Sequence, residues 1–378
     1  MEKISLYIHI PFCKNKCFYC DFPSFSGCDG QMINYAKALS KEIDNVSLSN
    51  YIIETIFIGG GTPTYFSLEA INILKESIKK LNLSKDIEFT VEGNPGTFTK
   101  EKLEAFKKMG VNRLSIGLQA CQNNLLKKIG RIHTFEEFIE SYDMARESGF
   151  ENINVDLMFG LPNQTVEMWE ESLNKIINLK PEHLSCYSLI IEEGTPFYNL
   201  FEKDILKLPS EEDERKMNLK TLEILKKNGY IQYEISNYAK PGKECRHNLV
   251  YWDVKPYIGC GSSAHSYINE IRYSNENNIS YYIEKMNKKG NAIIYKEKNN
   301  IKDNMEEFMF LGLRKINGIN KNTFKERFNS DIYEVYGKII NKYVKLGLMS
   351  DEKNSIYLTK RGIEVSNSIM CEFIFEKD

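Results

Sequence analysis

The sequence predicts an α/β protein: a partial, open (β/α)6 barrel followed by a small, mainly helical C-terminal domain. Three observations predict it. Short β-rich runs alternate with amphipathic helical patterns through the first half, the signature of repeated βα units around a parallel sheet. The chain has 378 residues, more than the ~250 of an ordinary barrel, which leaves room for an appendage. Beyond Glu211 the alternation gives way to a charged helix and then to short helices with a small hairpin.

Taken in order, the strands are Leu6–Ile10, Thr55–Ile58, Glu88–Val91, Arg113–Leu118, Asn154–Met158 and His183–Leu189. Between them lie amphipathic helices at Gln31–Val46, Leu68–Leu81, Lys100–Met109, Phe135–Ser148 and Val166–Leu179. Polar residues gather where these strands end: a cysteine run after the first, Gly59-Gly60-Gly61 after the second, then Glu92, Gln119 and Asp156. In a parallel barrel those ends converge on one mouth. Further on, the charged helix runs to about Asn228, a strand covers Tyr230–Ile235 and a loop covers Asn237–Glu244. Helical patterns follow at Met305–Arg314, Asn322–Phe328, Ile332–Lys345 and Leu358–Ser368, compatible with a winged-helix-like unit. The Asn/Lys-rich stretch Lys298–Asn304 reads as a linker, which places the two domains at 1–297 and 298–378.

A net charge of −2, from 50 basic and 52 acidic residues, gives no polyelectrolyte signature, so a nucleic-acid partner is not expected. The nine cysteines are odd in number and mostly far apart, which fits a reducing cytoplasm better than a disulfide framework. His9, Pro11 and the cysteines interrupt any apolar leader, and no later run approaches a membrane span. The expectation is a cytoplasmic chain without a transmembrane segment.

Cys13, Cys17 and Cys20 have C-x3-C-x2-C spacing. Three thiolates can hold three corners of a [4Fe–4S] cluster and leave one iron open to chelate a small ligand. A structural zinc site would need a second Cys or His pair, and none follows at suitable spacing. Cysteines that merely fill a core would have apolar neighbours, whereas Lys14, Asn15 and Lys16 break up this run.

Gly59-Gly60-Gly61-Thr62-Pro63-Thr64 leaves backbone groups unshielded at a strand end; it serves either as a tight turn or as a cradle for a cofactor's amino group. No Gly-Lys-Ser/Thr follows, so it is not a phosphate-binding loop. Glu92 is either a solvated loop acid or an acceptor for ribose hydroxyls or an amine. Arg131 has the geometry to grip a carboxylate bidentately, and with Gln119 and Asp156 it gains weight only from a shared position at the mouth. In the run from Cys245 to Trp252, Cys245 and His247 are both potential iron ligands beside two aromatic rings. By residue chemistry alone, a buried histidine with an aromatic plug is the simpler reading. His9 suits either a core or a mouth position; His133, His183 and His265 have no evident partner.

Together, Y-I-H-I-P-F-C with its three cysteines, G-G-G-T-P-T and H-N-L-V-Y-W resemble the HemN/HemW group of the radical S-adenosylmethionine (SAM) family over nearly the whole chain. The resemblance implies a [4Fe–4S] cluster on Cys13, Cys17 and Cys20, and SAM surrounded by Tyr7, Gly60 and Glu92. Gly61, Thr62, Gln119, Arg131 and Asp156 would adjoin it. Oxidases of this group, which decarboxylate coproporphyrinogen III, resemble C-x3-C-x2-C-x-C; here Cys20 is followed by Asp21-Phe22, without that extra cysteine. Cys-Asp-Phe, Glu-Gly-Asn-Pro-Gly-Thr and the His247 motif resemble the haem-chaperone branch. That branch implies haem binding, with His247 or Cys245 as the ligand, and haem delivery to a respiratory haem protein at the membrane surface.

Overall fold

Leu6, Ile8 and Ile10 alternate with Ser5, Tyr7 and His9 along the first strand, and this period of two sorts the sheet into two faces. The computed structural model describes residues 1–46 and 48–375. The strands β1 (Glu2–Ile10), β2 (Tyr51–Gly60), β3 (Leu83–Gly93), β4 (Arg113–Gln119), β5 (Asn152–Phe159) and β6 (His183–Ser188) lie side by side in chain order, all parallel. Register pairs such as Tyr7 with Phe57 and Leu157 with Cys186 keep like faces together. Leu6, Ile8, Ile56, Val91, Leu114, Val155 and Leu184 are at most 1% exposed and form one core with the surrounding helices. The opposite, concave face carries the polar members of each alternation.

Those helices are α1 (Met32–Asn45), α2 (Leu68–Ile78), α3 (Lys100–Met109), the short α4 (Asn123–Lys128), α5 (Phe135–Glu147) and α6 (Val166–Asn178). Hydroxyl residues fix the starts of four of them. Ser67, Thr99 and Thr165 each accept a backbone N–H of the first turn, and Thr134 forms a capping box with Glu137.

After α7 (Pro196–Phe201) and α8 (Glu211–Lys227), the expected strand Tyr230–Ile235 shrinks to β7 (Ile231–Gln232), and the expected loop Asn237–Glu244 begins with a strand, β8 (Asn237–Ala239). The two form a hairpin, and β8 adds antiparallel to β6. At the other edge, beyond α9 (Arg246–Trp252), β9 (Tyr257–Cys260) joins β1 in parallel. The antiparallel β10 (His265–Ile268), β11 (Ile271–Asn275) and β12 (Ile293–Lys298) extend it, with α10 (Ile279–Lys289) between β11 and β12. The sheet therefore has twelve strands, and its two edges, β12 and β7, do not pair with each other among the described residues.

Lys298–Asn304 is not a linker: Lys298 ends β12, and Asn300 caps α11 (Ile301–Gly312) in a capping box with Asp303. Next come β13 (Ile319–Asn320), α12 (Lys321–Phe328), α13 (Ile332–Lys345), β14 (Met349–Asp351) and β15 (Ser355–Leu358), a winged-helix order with a three-stranded sheet. Leu358 closes a strand rather than opening a helix, and α14 (Lys360–Glu364) and α15 (Ser366–Cys371) follow. This region has its own core around Phe308, Phe324, Tyr336 and Phe373. Among the described residues no helix is long and apolar enough to cross a membrane.

Candidate functional site

The loop leaving β1 is folded back on itself. Cys13 N donates to Phe25 O at 2.9 Å, and Phe25 N to Pro11 O at 2.7 Å. Asn15 Nδ2 and Phe18 N tie the loop to Gly130 O and Ile129 O. Cys13, Cys17 and Cys20 are unbridged and line one cavity of about 450 Å³ together with Gly60, Gly61, Glu92, Gln119, Arg131 and Asp156. The shared mouth expected from the strand ends is therefore present. Asp156 differs in one respect, because it sits midway along β5 and reaches the cavity from the concave face.

Among the described residues no group of three or more His, Cys, Asp or Glu converges as ligands on one metal ion. A cubane presents its irons at separate corners, so its three thiolates need to share a cavity rather than a point. The donor set fits that requirement. Arg131 Nη1 donates to Cys17 Sγ at 3.5 Å, and Cys13 Sγ lies 3.5 Å from Thr62 Oγ1. Burial pushes the Cys13 and Cys20 thiols up, so a ligated, deprotonated state needs such nearby cationic and hydroxyl partners.

The glycine turn is dictated first by packing. At Gly60, where φ is +109°, a Cβ would stand 2.4 Å from the His9 ring; at Gly61 it would stand 2.8 Å from Phe12 O. The amides of Gly60, Gly61 and Thr62 are already used, donating to Glu92 Oε2 at 3.1 Å, Ile10 O at 2.9 Å and Phe12 O at 2.8 Å. Glu92 gets no other hydrogen bond among the described residues. Burial, with Asp156 nearby, pushes its carboxyl up to about 8. A carboxyl so poorly partnered suits a ligand that brings an ammonium or hydroxyls.

Arg131 is held by Asn94 Oδ1 at 2.9 Å and by Gly117 O, and its buried Nε has no partner among the described residues. Asn94 Nδ2 in turn donates to Thr62 Oγ1 at 2.9 Å, so Thr62 orients this network from the cavity's flank. Gln119 ends β4 with φ at 75°, a left-handed conformation rare for a side-chain-bearing residue, beside a register shift against β5. Asp156 accepts from Asn154 Nδ2 at 2.7 Å and Ser115 Oγ at 3.1 Å. Sequence reasoning missed Asn94, Ser115, Met158 and Tyr187, all on the cavity wall. For the last three, the alternation along β4, β5 and β6 was the available signal; Asn94 follows the end of β3, two places after Glu92.

Tyr7 does not line the cysteine cavity. It faces an adjoining one of about 410 Å³ with Phe57, His247, Tyr251, Tyr257 and His265; Phe22, Gly60 and Glu92 belong to both. His9 also faces it, held by Tyr7 OH at 2.9 Å and Pro23 O at 2.8 Å. His247 is 1% exposed. Its Nδ1 meets Thr55 Oγ1 at 2.7 Å, its Nε2 meets Tyr251 OH at 2.9 Å, and its ring stacks on Phe57 at 5.2 Å. Burial lowers its pKa to about 3.

The rest of the motif splits. Cys245 is fully buried, with Sγ 3.6 Å from Glu88 Oε1, and lines neither cavity. Glu88 also accepts the amides of Arg246 and His247 at 2.9 Å, which fixes the start of α9. Trp252 points toward the C-terminal region under the Arg314 guanidinium, 4.5 Å away, so Tyr251 and Trp252 do not form one aromatic wall. His183 proves structural, bonded to Asn154 Oδ1 at 2.6 Å and Tyr233 OH at 2.8 Å. His133 meets Leu118 O at 3.3 Å.

An open parallel βα barrel with a three-cysteine loop at its mouth defines the class. The Radical SAM superfamily model matches residues 7–176, and the HemN C-terminal domain model matches residues 301–365. The chain is 41% identical to the heme chaperone HemW of Bacillus subtilis (strain 168) over 378 residues, covering 98% of this chain and 99% of that one. It is 38% identical to the heme chaperone HemW of Lactococcus lactis subsp. lactis over 376 residues, covering 98% and 97%. The solved coproporphyrinogen III oxidase (HemN) from Escherichia coli superposes with a TM-score of 0.86 at 23% identity, covering 99% of this chain and 90% of that one, which shows the shared fold. The chain belongs to the HemW family of radical SAM proteins.

Proposed function

We propose that this protein is a cytoplasmic haem chaperone that binds a [4Fe–4S] cluster on Cys13, Cys17 and Cys20, SAM beside it, and haem in the adjoining aromatic cavity. It would pass the haem to a respiratory haem protein at the membrane surface. The carrying observation is that the aromatic cavity adjoins the cysteine cavity, shares Phe22, Gly60 and Glu92 with it, and has no Lys or Arg in its lining among the described residues. Coproporphyrinogen III, the substrate of the alternative oxidase reading, carries four propionates and would find no cation there. Haem suits it better, with its apolar edge inside and its two propionates at the open side. A division into two domains, which the sequence puts at 1–297 and 298–378 although Lys298 still closes β12, belongs to the same proposal.

When bound, the cluster supplies one electron for cleavage of the SAM sulfonium. The chain's own residues bind and orient. Glu92 would accept from SAM's amino group or ribose, and Arg131, fixed by Asn94 and Gly117 beside Cys17, would supply positive charge for its carboxylate. Thr62 fixes Asn94, and Gln119 and Asp156 complete the wall.

The test is to incubate reconstituted protein with haem and, separately, with coproporphyrinogen III, SAM and reductant. Haem retained through gel filtration, with no protoporphyrinogen IX formed, is the expected result. Multiple turnovers to protoporphyrinogen IX would overturn the proposal in favour of the oxidase.

A further inference from the structure

We propose that His265, rather than His247, is the axial ligand to the haem iron in the aromatic cavity. The inference rests on the haem-binding reading above and deepens it. A histidine that ligates iron presents one ring nitrogen to the metal while the other is free or held by an acceptor.

Three histidines face this cavity, and two of them have both nitrogens engaged. His247 is closed by Thr55 and Tyr251, and it is wedged between the Phe57 and Tyr251 rings, each with its centroid 5.2 Å away. Freeing Nε2 would require Tyr251 to move, yet that ring packs edge-on against Tyr257 at 4.8 Å. It would also leave a buried hydroxyl without its partner. His9 is closed by Tyr7 and Pro23 and is 2% exposed.

His265 differs on each count. It is exposed, it lines the same cavity, and neither of its ring nitrogens has a hydrogen bond among the described residues. It opens β10, and its backbone is paired with Ser274 on β11, so the imidazole is carried on a sheet rather than on a mobile loop. Partial desolvation on the side of the ring that faces the protein, with the Arg272 charge nearby, lowers its pKa, which leaves the ring neutral at pH 7 with a lone pair to offer. Tyr7, Phe57 and Tyr257 supply flat aromatic walls for the porphyrin. On this assignment His247 builds the cavity wall and His265 binds the iron.

The experiment titrates the full-length protein and its His265→Ala and His247→Gln variants with haem and, in parallel, with metal-free protoporphyrin IX. Expected for His265→Ala is a displaced Soret band and haem binding weakened by about tenfold or more. Protoporphyrin IX affinity should be unchanged, and added imidazole should restore the Soret position. His247→Gln should keep the Soret band of the unmodified protein. A wild-type Soret band and affinity in His265→Ala would overturn the ligand assignment while leaving the chaperone reading in place. No haem uptake by the unmodified protein would overturn both. Loss of protoporphyrin IX binding along with haem would show that His265 only shapes the cavity, and would also overturn the assignment.

Discussion

The backbone N–H of Gly60 donates to Glu92 Oε2 at 3.1 Å, and no other hydrogen bond reaches that carboxyl among the described residues. Both residues belong to the wall between the two cavities, so the poorly partnered acid stands where the proposed ligands would meet.

Glu92 gives the ligand-free protein a pH dependence of known sign. Folded Glu92 keeps its proton up to about pH 8, while an unfolded carboxyl releases it near 4.5. The folded state therefore binds more protons between those values, and stability falls as pH rises through that window. Glu92→Gln removes this slope. At pH 8 the variant should melt higher than the unmodified protein, by the equivalent of roughly 1–3 kcal/mol, with the difference vanishing near pH 4.5. Thermal denaturation across that range checks it, and a variant that melts lower at pH 8 contradicts it.

Cys13→Ala, Cys17→Ala and Cys20→Ala should each abolish the cluster in anaerobically reconstituted protein, because two thiolates cannot hold three corners. Cys28, Cys121 and Cys371 lie outside the cavity and should be dispensable. Iron and sulfide analysis with EPR reads the result; a fully occupied cluster in Cys17→Ala would remove the assignment.

Arg131→Lys should lower stability by roughly 1–3 kcal/mol and reduce cluster occupancy, because an ammonium cannot replace the fork that meets Cys17, Asn94 and Gly117. Urea denaturation and iron content measure the two effects. Unchanged values in both would mean that Arg131 is not a keystone of the mouth.

Gly60→Ala should cost on the order of 2–4 kcal/mol, from a left-handed backbone and a Cβ driven into the His9 ring. In a His9→Ala background the steric part should largely disappear, a coupling that a double-mutant cycle by urea denaturation resolves. Full additivity would show that the glycine is required for backbone conformation alone.

Much of this was legible in the sequence because apolar alternation and amphipathic periodicity announce strands and helices locally. All six central strands and the cysteine mouth followed from such signals. The short strands β8 and β9 did not, since three or four residues carry too little periodicity, and β9 pairs with β1, far away in the sequence. Lys298–Asn304 misled through composition: asparagine reads as loop, yet Asn300 is there to cap a helix. Tyr251 and Trp252 look like a pair in sequence, but neighbours on a helix point about 100° apart, so one reaches the cavity and the other the C-terminal region. The Thr55 partner of His247 was also invisible, because it lies 192 positions away in the chain.

Whether this chain holds haem in order to hand it on is decided by mixing haem-loaded protein with the apo form of a respiratory haem protein and following the absorbance of each after separation. For a chaperone, the haem spectrum leaves this protein and appears on the acceptor, whose function is restored. Haem that stays bound, or passes no faster than free haem added to the acceptor, would contradict that role.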